Sequence, residues 1–476
     1  MEEEDVFQRL SRHHNEGEAA SKEEIDMSAL EAQRSLLMSL LEQNNTRETK
    51  ILSVITEGGR ASRDSFIRAQ LKPLLETDTM TFTELLKRVD TVNRDLQSFG
   101  CYSNVQFTLQ GVDDQYSLGR LFGGGNALTV QPVLQLAEAK RFTAKTGTDV
   151  GNGEGSGYIN CQFRHMFGGA ETLNFDASMG TRTKSNYMLA LTSPINNSAR
   201  WKGEAMAFAT SRDIPWCSHL QSVQGGALKL RYLGFPHTLD LSVETLVRTI
   251  SAYSEASRTV KFAAGDDMKR AMMATYTYDT RDVHVMPTRG YMFKMSGEYV
   301  LSANLLRLQS EYSSGVRSKY AIFNWGMKCG ILSRDVGSYA HGAVQSNVHL
   351  MDRFYLGGAN DVRGFAMNGL GPRDQNDSIG GALYNCFGLS VFTKVPGLKY
   401  GLDNPLKWHH FVNCGGLLGQ RDVKTLLNNQ SVSVGTGLVY NHPAARFELN
   451  ICAPLIARST DKMRKGLQFG VGVSFL

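Results

Sequence analysis

From about Arg141 to the C-terminus the sequence alternates between apolar and polar residues with a period of two, and no long helical pattern interrupts it. A period of two belongs to β-strands, whose side chains point to opposite faces in turn. Leu173, Phe175, Ala177 and Met179 fall on one face, with Thr172, Asn174, Asp176 and Ser178 on the other. Leu239, Leu241 and Val243 oppose Asp240, Ser242 and Glu244, and Phe447, Leu449, Ile451 and Ala453 oppose Arg446, Glu448, Asn450 and Cys452. The last segment is the cleanest: Leu467, Phe469, Val471, Val473 and Phe475 against Gly466, Gln468, Gly470, Gly472 and Ser474. Clusters of Gly, Asn, Asp, Ser and Pro separate the segments, as turns require.

Alternation alone fits a soluble sandwich as well as a membrane barrel. Length separates them: roughly 335 residues at about 20 per strand and turn give about 16 antiparallel strands. Closure into a barrel is the natural way for so many strands to avoid a raw edge. Mean hydropathy is −0.26, and no run approaches the roughly 18–20 apolar residues of a spanning helix. Spanning strands escape such a scan, because lipid-facing and lumen-facing residues average out. Forty-seven glycines against 11 prolines, with 17 Tyr and 23 Phe, fit a large sheet with many turns. The net charge of +5 comes from dispersed basic residues and gives no argument for nucleic acid. Cys101, Cys161, Cys217, Cys329, Cys386, Cys414 and Cys452 fall singly, without a C-x-x-C pair, and read as small apolar fillers kept reduced. No Walker loop, nucleophile elbow or metal-ligand spacing is present in the sequence. His409-His410 reads as a wall pair and His13-His14 as part of the tail. Neither an enzyme nor a cofactor or metal is expected.

Residues 1–47 read as a charged extension carrying one amphipathic helix, with Met27, Leu30, Leu36, Leu37, Leu40 and Leu41 at helical spacing. The acidic start, Met1-Glu-Glu-Glu-Asp5, resembles neither a secretory signal nor an organellar presequence. A barrel with this start is expected to reach its membrane from the cytosol, which disfavours a bacterial source. Residues 48–140 read as a compact αβ module. A strand at Ile51–Thr56 is followed by a helix carrying Phe66, Ile67, Leu71 and Leu74. A second helix opens with the capping spacing Thr81-x-x-Glu84 and ends at Gly100. Strands over Tyr102–Leu109 and near Val130–Ala139 complete it, around a glycine-rich loop at Gly123-Gly124-Gly125.

The run from Leu96 to Val105 (LQSFGCYSNV) and the order strand, helix, helix, strand, strand resemble a polypeptide-transport-associated (POTRA) domain. Farther on, motifs stand in an order that resembles the BamA-type outer-membrane barrel-assembly superfamily. They are Val150-Gly-Asn-Gly-Glu-Gly155 with Met166-Phe-Gly-Gly-Ala-Glu171, Tyr278-Asp-Thr-Arg-Asp282 with Pro287-Thr-Arg-Gly290, and Phe354-Tyr-Leu-Gly-Gly358 with Asp361-Val-Arg-Gly-Phe365. The long strandless stretch from about Ser333 to Ser378 marks a functional loop. The resemblance implies that this loop enters the lumen, with Gly357, Gly358, Asp361, Val362, Arg363, Gly364 and Phe365 as its motif and Arg363 docked on the wall. Its acceptor position falls at Asn413, where bacterial members tend to carry a carboxylate. An amide accepts a hydrogen bond but brings no charge, so the group that balances Arg363 stays unassigned. The Phe411-x-Asn413-x-Gly415 form is closest to the mitochondrial branch, which provides the central barrel of the sorting and assembly machinery.

The C-terminal pattern Gln468-x-Gly470-x-x-Val473-x-Phe475 resembles the eukaryotic barrel sorting signal. With Gly466 it also marks the expected last strand, which faces the first (about Phe142 to Val150) across a weak seam, where Gly466, Gly470 and Gly472 offer little side-chain packing, serving as a lateral gate. The resemblance thus implies a mitochondrial outer-membrane protein that inserts and folds β-barrel precursors. Its expected partners are unfolded β-barrel precursors, accessory subunits of an assembly complex and the lipid bilayer, with no nucleic acid. Two alternatives stay open: a polypeptide-translocating outer-envelope channel of the same superfamily, and a passive metabolite pore.

Overall fold

A computed structural model describes Ser39 and residues 44–77, 79–111, 128–151, 154–334, 348–397, 401–442 and 445–472. The apolar residues of the expected helix between Met27 and Leu41, the glycine loop Gly123–Gly125, and Val473 and Phe475 of the C-terminal pattern lie outside them. The chain divides into two compact units, Met1–Ala139 and Lys140–Leu476.

The first unit contains β1 (Glu48–Ile51), β2 (Ile55–Gly58), α1 (Asp64–Leu75), β3 (Thr79–Thr81), α2 (Phe82–Ser98), β4 (Tyr102–Gly111) and β5 (Leu128–Glu138). In its mixed sheet, β5 runs parallel to β1 and β2 and antiparallel to β4. The single first strand expected at Ile51–Thr56 is two short ones. Ile51 sits opposite Val130 but Ile55 opposite Val133, so the first segment carries one extra residue and the ladder breaks there. The helices bury Phe66, Leu71, Leu74, Leu85, Val92 and Leu96, and Thr81 caps α2 by accepting the Glu84 N–H at 3.3 Å.

In the second unit, sixteen described strands form one antiparallel sheet in sequence order. They are β6 (Phe142–Gly151), β7 (Glu154–Arg164), β8 (Thr172–Gly180), β9 (Thr183–Pro194), β10 (Trp201–Ile214), β11 (His219–Gly234), β12 (His237–Ala252) and β13 (Gly265–Asp279). After β14 (Tyr291–Val300), β15 (Leu305–Arg317) and β16 (Ala321–Arg334) comes a loop whose described part holds a 3-10 turn (Leu350–Asp352) and the two-residue strands β17 (Arg373–Asp374) and β18 (Asp377–Ser378). The sheet resumes with β19 (Leu383–Lys394), β20 (Leu406–Leu418), β21 (Ser431–Asn441), β22 (Arg446–Ile456) and β23 (Gly466–Gly472). The α-helices described in the connections are short, α3 (Arg258–Phe262) and α4 (Val423–Asn428). No described helix is long and apolar enough to cross a membrane.

The period of two is visible in burial. Along β22, Arg446, Glu448, Asn450 and Cys452 are buried while Phe447, Leu449 and Ile451 are exposed. Exposed Leu228, Val243 and Met272 continue the outer apolar face across β11, β12 and β13. Such a belt is stable facing hydrocarbon and unfavourable facing water. The turn motifs are held by their own carboxylates. Glu171 accepts the Gly169 N–H at 2.8 Å, and Asp282 accepts those of Thr288 and Arg289 at 2.9 and 3.1 Å. Among the described residues, β6 pairs only with β7 and β23 only with β22, so the first and last strands present edges.

The outer belt yields a direct test. Leu228, 66% exposed near the middle of β11, changed to Lys should cost about 2–4 kcal/mol in reversible unfolding from lipid vesicles. A cost near zero would show that this face meets water.

Candidate functional site

Successive antiparallel strands are joined alternately at the two ends of the sheet, so the loop between β16 and β19 shares its end with the β10–β11, β12–β13 and β22–β23 connections. Its later part is fastened to them. Asp377 accepts Ser218 Oγ at 2.6 Å and the Ser257 N–H at 2.7 Å; Asp374 accepts the N–H and hydroxyl of Thr259 at 3.0 and 2.7 Å. The Ser378 N–H donates to the Trp216 carbonyl at 2.8 Å.

Between Leu356 and Gly371 the loop lies against the inner face near the end of the sheet. Leu356, Val362, Phe365 and Leu370 are buried with Leu417 in one apolar cluster. This burial carries the arginine in with it. Arg363 is fully buried and meets Glu448 of β22 as a fork, Nε to Oε2 at 2.9 Å and Nη2 to Oε1 at 3.1 Å. Its Nη1 donates to the Asn413 carbonyl oxygen on β20 at 3.2 Å, and its guanidinium lies 5.0 Å from the centre of the Phe411 ring. A planar guanidinium suits this set, because two parallel donors match a carboxylate and its face matches a ring. Glu448 also binds Arg446 and accepts Asn450 Nδ2 at 2.7 Å. Asn450 in turn contacts His409 Nδ1 at 3.0 Å, whose Nε2 meets Ser390 Oγ at 3.0 Å. His409 is a buried wall residue within a polar network.

Asn413 therefore serves as a hydrogen-bond acceptor, and the charge comes from Glu448, which the sequence reading did not assign. The signal was available, because Glu448 lies on the polar face of the alternating β22 pattern. The motif's anionic residue also finds a partner, Asp361 lying 3.4 Å from Lys328 of β16, and Gly364 takes φ +85°. A Cβ on Gly364 would come within 3.1 Å of Ser433 Cβ, in a backbone region that L residues rarely adopt. Gly357 and Gly358 likewise have positive φ, 111° and 132°.

The loop also grips the C-terminal hairpin. The Gly364 N–H donates to Gln468 Oε1 at 2.9 Å, and Gln468 Nε2 donates to the Phe365 carbonyl at 3.1 Å. One amide side chain thus completes two backbone groups, as a neighbouring strand would. Ala366 N–H donates to Lys462 O at 2.9 Å, Lys462 N–H to Gly369 O at 2.8 Å, and Arg464 N–H to Gly364 O at 2.8 Å. Asn360 Nδ2 reaches the Val471 carbonyl at 3.3 Å. Two features far apart in sequence, the Arg363 loop and the C-terminal pattern around Gln468, are one site in space. Gly466 opens β23 at φ +93°, and Gly470 faces Glu448 across the ladder.

Residues 166–475 match the model of the Omp85 superfamily domain. The chain belongs to the Omp85 superfamily. Among curated relatives of this Omp85 chain, the SAM50-like protein of Schizosaccharomyces pombe is 33% identical, covering 96% of this chain and 97% of that one. The sorting assembly machinery 50 kDa subunit of Saccharomyces cerevisiae is 30% identical, covering 91% and 96%. Among solved structures, BamA from Haemophilus ducreyi lacking POTRA domains 1–3 superposes with a TM-score of 0.70 over 89% of this chain and 84% of that chain; at 14% identity this likeness concerns the fold. The Omp85 chain is a β-barrel protein of the mitochondrial outer membrane.

Because Glu448 serves two guanidinium groups in a buried place, removing its charge should cost more than removing the Asn413 amide. Glu448→Gln should lower unfolding stability in vesicles by about 3–5 kcal/mol, and Asn413→Ala by about 1 kcal/mol. The reverse ranking would mean that Glu448 does not carry the charge balance.

Proposed function

We propose that this chain inserts and folds β-barrel precursors into the mitochondrial outer membrane through the seam between β6 and β23. The observation that carries this reading is that, among the described residues, β6 and β23 are the two end strands of the sheet, with the C-terminal hairpin held by the lumen loop. A strand entering hydrocarbon must keep its backbone groups hydrogen-bonded, since no water replaces them there. The edge of β6 offers those bonds by β-augmentation. A client's terminal strand pairs with β6, later client strands add in turn, and the seam closes when the finished barrel leaves. Folding of the client supplies the free energy, so no nucleotide and no catalytic residue are required.

In this reading the loop around Arg363 keeps β22 and β23 in place while β6 is free to exchange partners. The αβ unit acts as a single POTRA-like domain, with the edge strand β4 as a platform for extended segments. The name of the Saccharomyces cerevisiae relative points to work within a sorting assembly machinery, and accessory subunits are accordingly expected partners. A passive pore is less well supported, because the loop is fastened to both the β10–β13 connections and the β20–β22 wall.

Depletion separates these functions. Porin-type barrels should fail to assemble while helical outer-membrane proteins persist, and an unchanged barrel population would remove the assigned function. Cysteines placed in a client's terminal strand and in residues 142–150 should crosslink during insertion. Crosslinks confined to the outer wall away from the seam would exclude the gate.

A further inference from the structure

Upstream of Arg363 the loop makes a second charged contact on another part of the wall. Asp352 closes the short 3-10 turn Leu350–Asp352 and is buried. It accepts Arg248 Nη1 of β12 at 2.7 Å and lies 3.4 Å from Lys269 Nζ of β13. Arg248 is held from its other side by Asp267 at 2.6 Å. Lys269 also pairs with Glu298 of β14 and lies 3.4 Å from Glu244 of β12. Beside this cluster Arg307 of β15 sits 4.9 Å from the centre of the Phe354 ring. Burial works against the ionised Asp352 carboxyl, but the hydrogen bond and charge of Arg248, with the charge of Lys269, outweigh it and hold its pKa below the usual carboxylate range.

In the sheet, β14, β15, β16 and β19 stand between β13 and β20. The loop therefore touches three successive sectors of the inner wall through charged groups: Asp352 on β12 and β13, Asp361 on β16, Arg363 on β20 and β22. Between the outer two lie Gly357 and Gly358, whose conformations leave the chain much freedom if either end is released.

We infer that Asp352, clasped by Arg248 and Lys269, is a positioning residue that sets where the loop crosses the lumen, so that Gly364 and Phe365 meet Gln468 of the C-terminal strand. The burial of an ion pair adds little net stability but selects one arrangement among several, since any shifted arrangement leaves a charge buried and unpaired. Arg363 can satisfy its own guanidinium only where Glu448 and Asn413 stand. Asp352 determines how much chain is available to reach that place. The inference rests on the proposed insertion function only for the second of two readouts.

The test uses the full chain in its membrane, with Cys introduced at Ala366 and Lys462, whose backbones are hydrogen-bonded. The first readout is the rate at which this pair forms a disulfide under mild oxidant; the second is insertion of a radiolabelled porin. Asp352→Asn should slow disulfide formation about fivefold or more, with the amount of folded, heat-modifiable barrel unchanged. Asp352→Glu should restore the rate. Crosslinking of the Asn variant at the parental rate would overturn the inference. Should that variant not accumulate, Asp267→Asn removes only the partly exposed carboxylate that orients Arg248, and should slow the disulfide about twofold. An unchanged rate there would overturn the inference equally. Slowed crosslinking with undiminished insertion would leave the positioning role standing and remove the loop from the insertion mechanism.

Discussion

A backbone N–H or C=O inside hydrocarbon has no water to turn to, and each one left unpaired costs several kcal/mol. Fifteen of the joins between neighbouring strands meet this demand by continuous antiparallel pairing. The join between β6 and β23 is the exception among the described residues. The apolar outer belt places the sheet in a solvent where an edge is costly, and the loop reaches across the lumen to support one side of it.

The support is unequal. The C-terminal hairpin is held through Gln468, through the 462–464 backbone and through the Asn360 amide, all from the loop. Arg363 ties the loop in turn to Glu448 on β22, beside the same strand. The Arg363 and Gln468 contacts are polar and buried, so their strength lies in specificity: each is expensive to leave half-made. Apolar burial of Leu356, Val362, Phe365 and Leu370 supplies the adhesion, and the hydrogen bonds decide the position.

Much of this was legible in the sequence because the relevant physics is local. A two-residue period reports a strand with two different sides, and length then gives the number of strands. The turn at Gly364 and the long connection before it are equally local signals. The partner of Arg363 was not legible in that way. Arg446, Glu448, Asn450 and Gln468 all lie on polar faces, and nothing in their spacing says which one a loop 85 residues upstream will meet. Asn413, identified by resemblance, gave only half of the acceptor. Asp352 was missed for the same reason, since its partner Arg248 lies 104 residues earlier on a strand whose charges read as ordinary lumen residues. The split between β1 and β2 came from a one-residue mismatch with β5, which no single-strand pattern contains.

The long separation of these contacts has a consequence for how the chain itself becomes a barrel. Gly364 and Gln468 are 104 residues apart, and contacts of such span close late because the intervening chain must first be ordered. In the folded barrel the Gln468 amide is satisfied only with both Gly364 and Phe365 in place, so loop and hairpin depend on each other. Because that contact joins distant parts of the chain, the loop and the C-terminal hairpin form one unit only once the strands between them are in register.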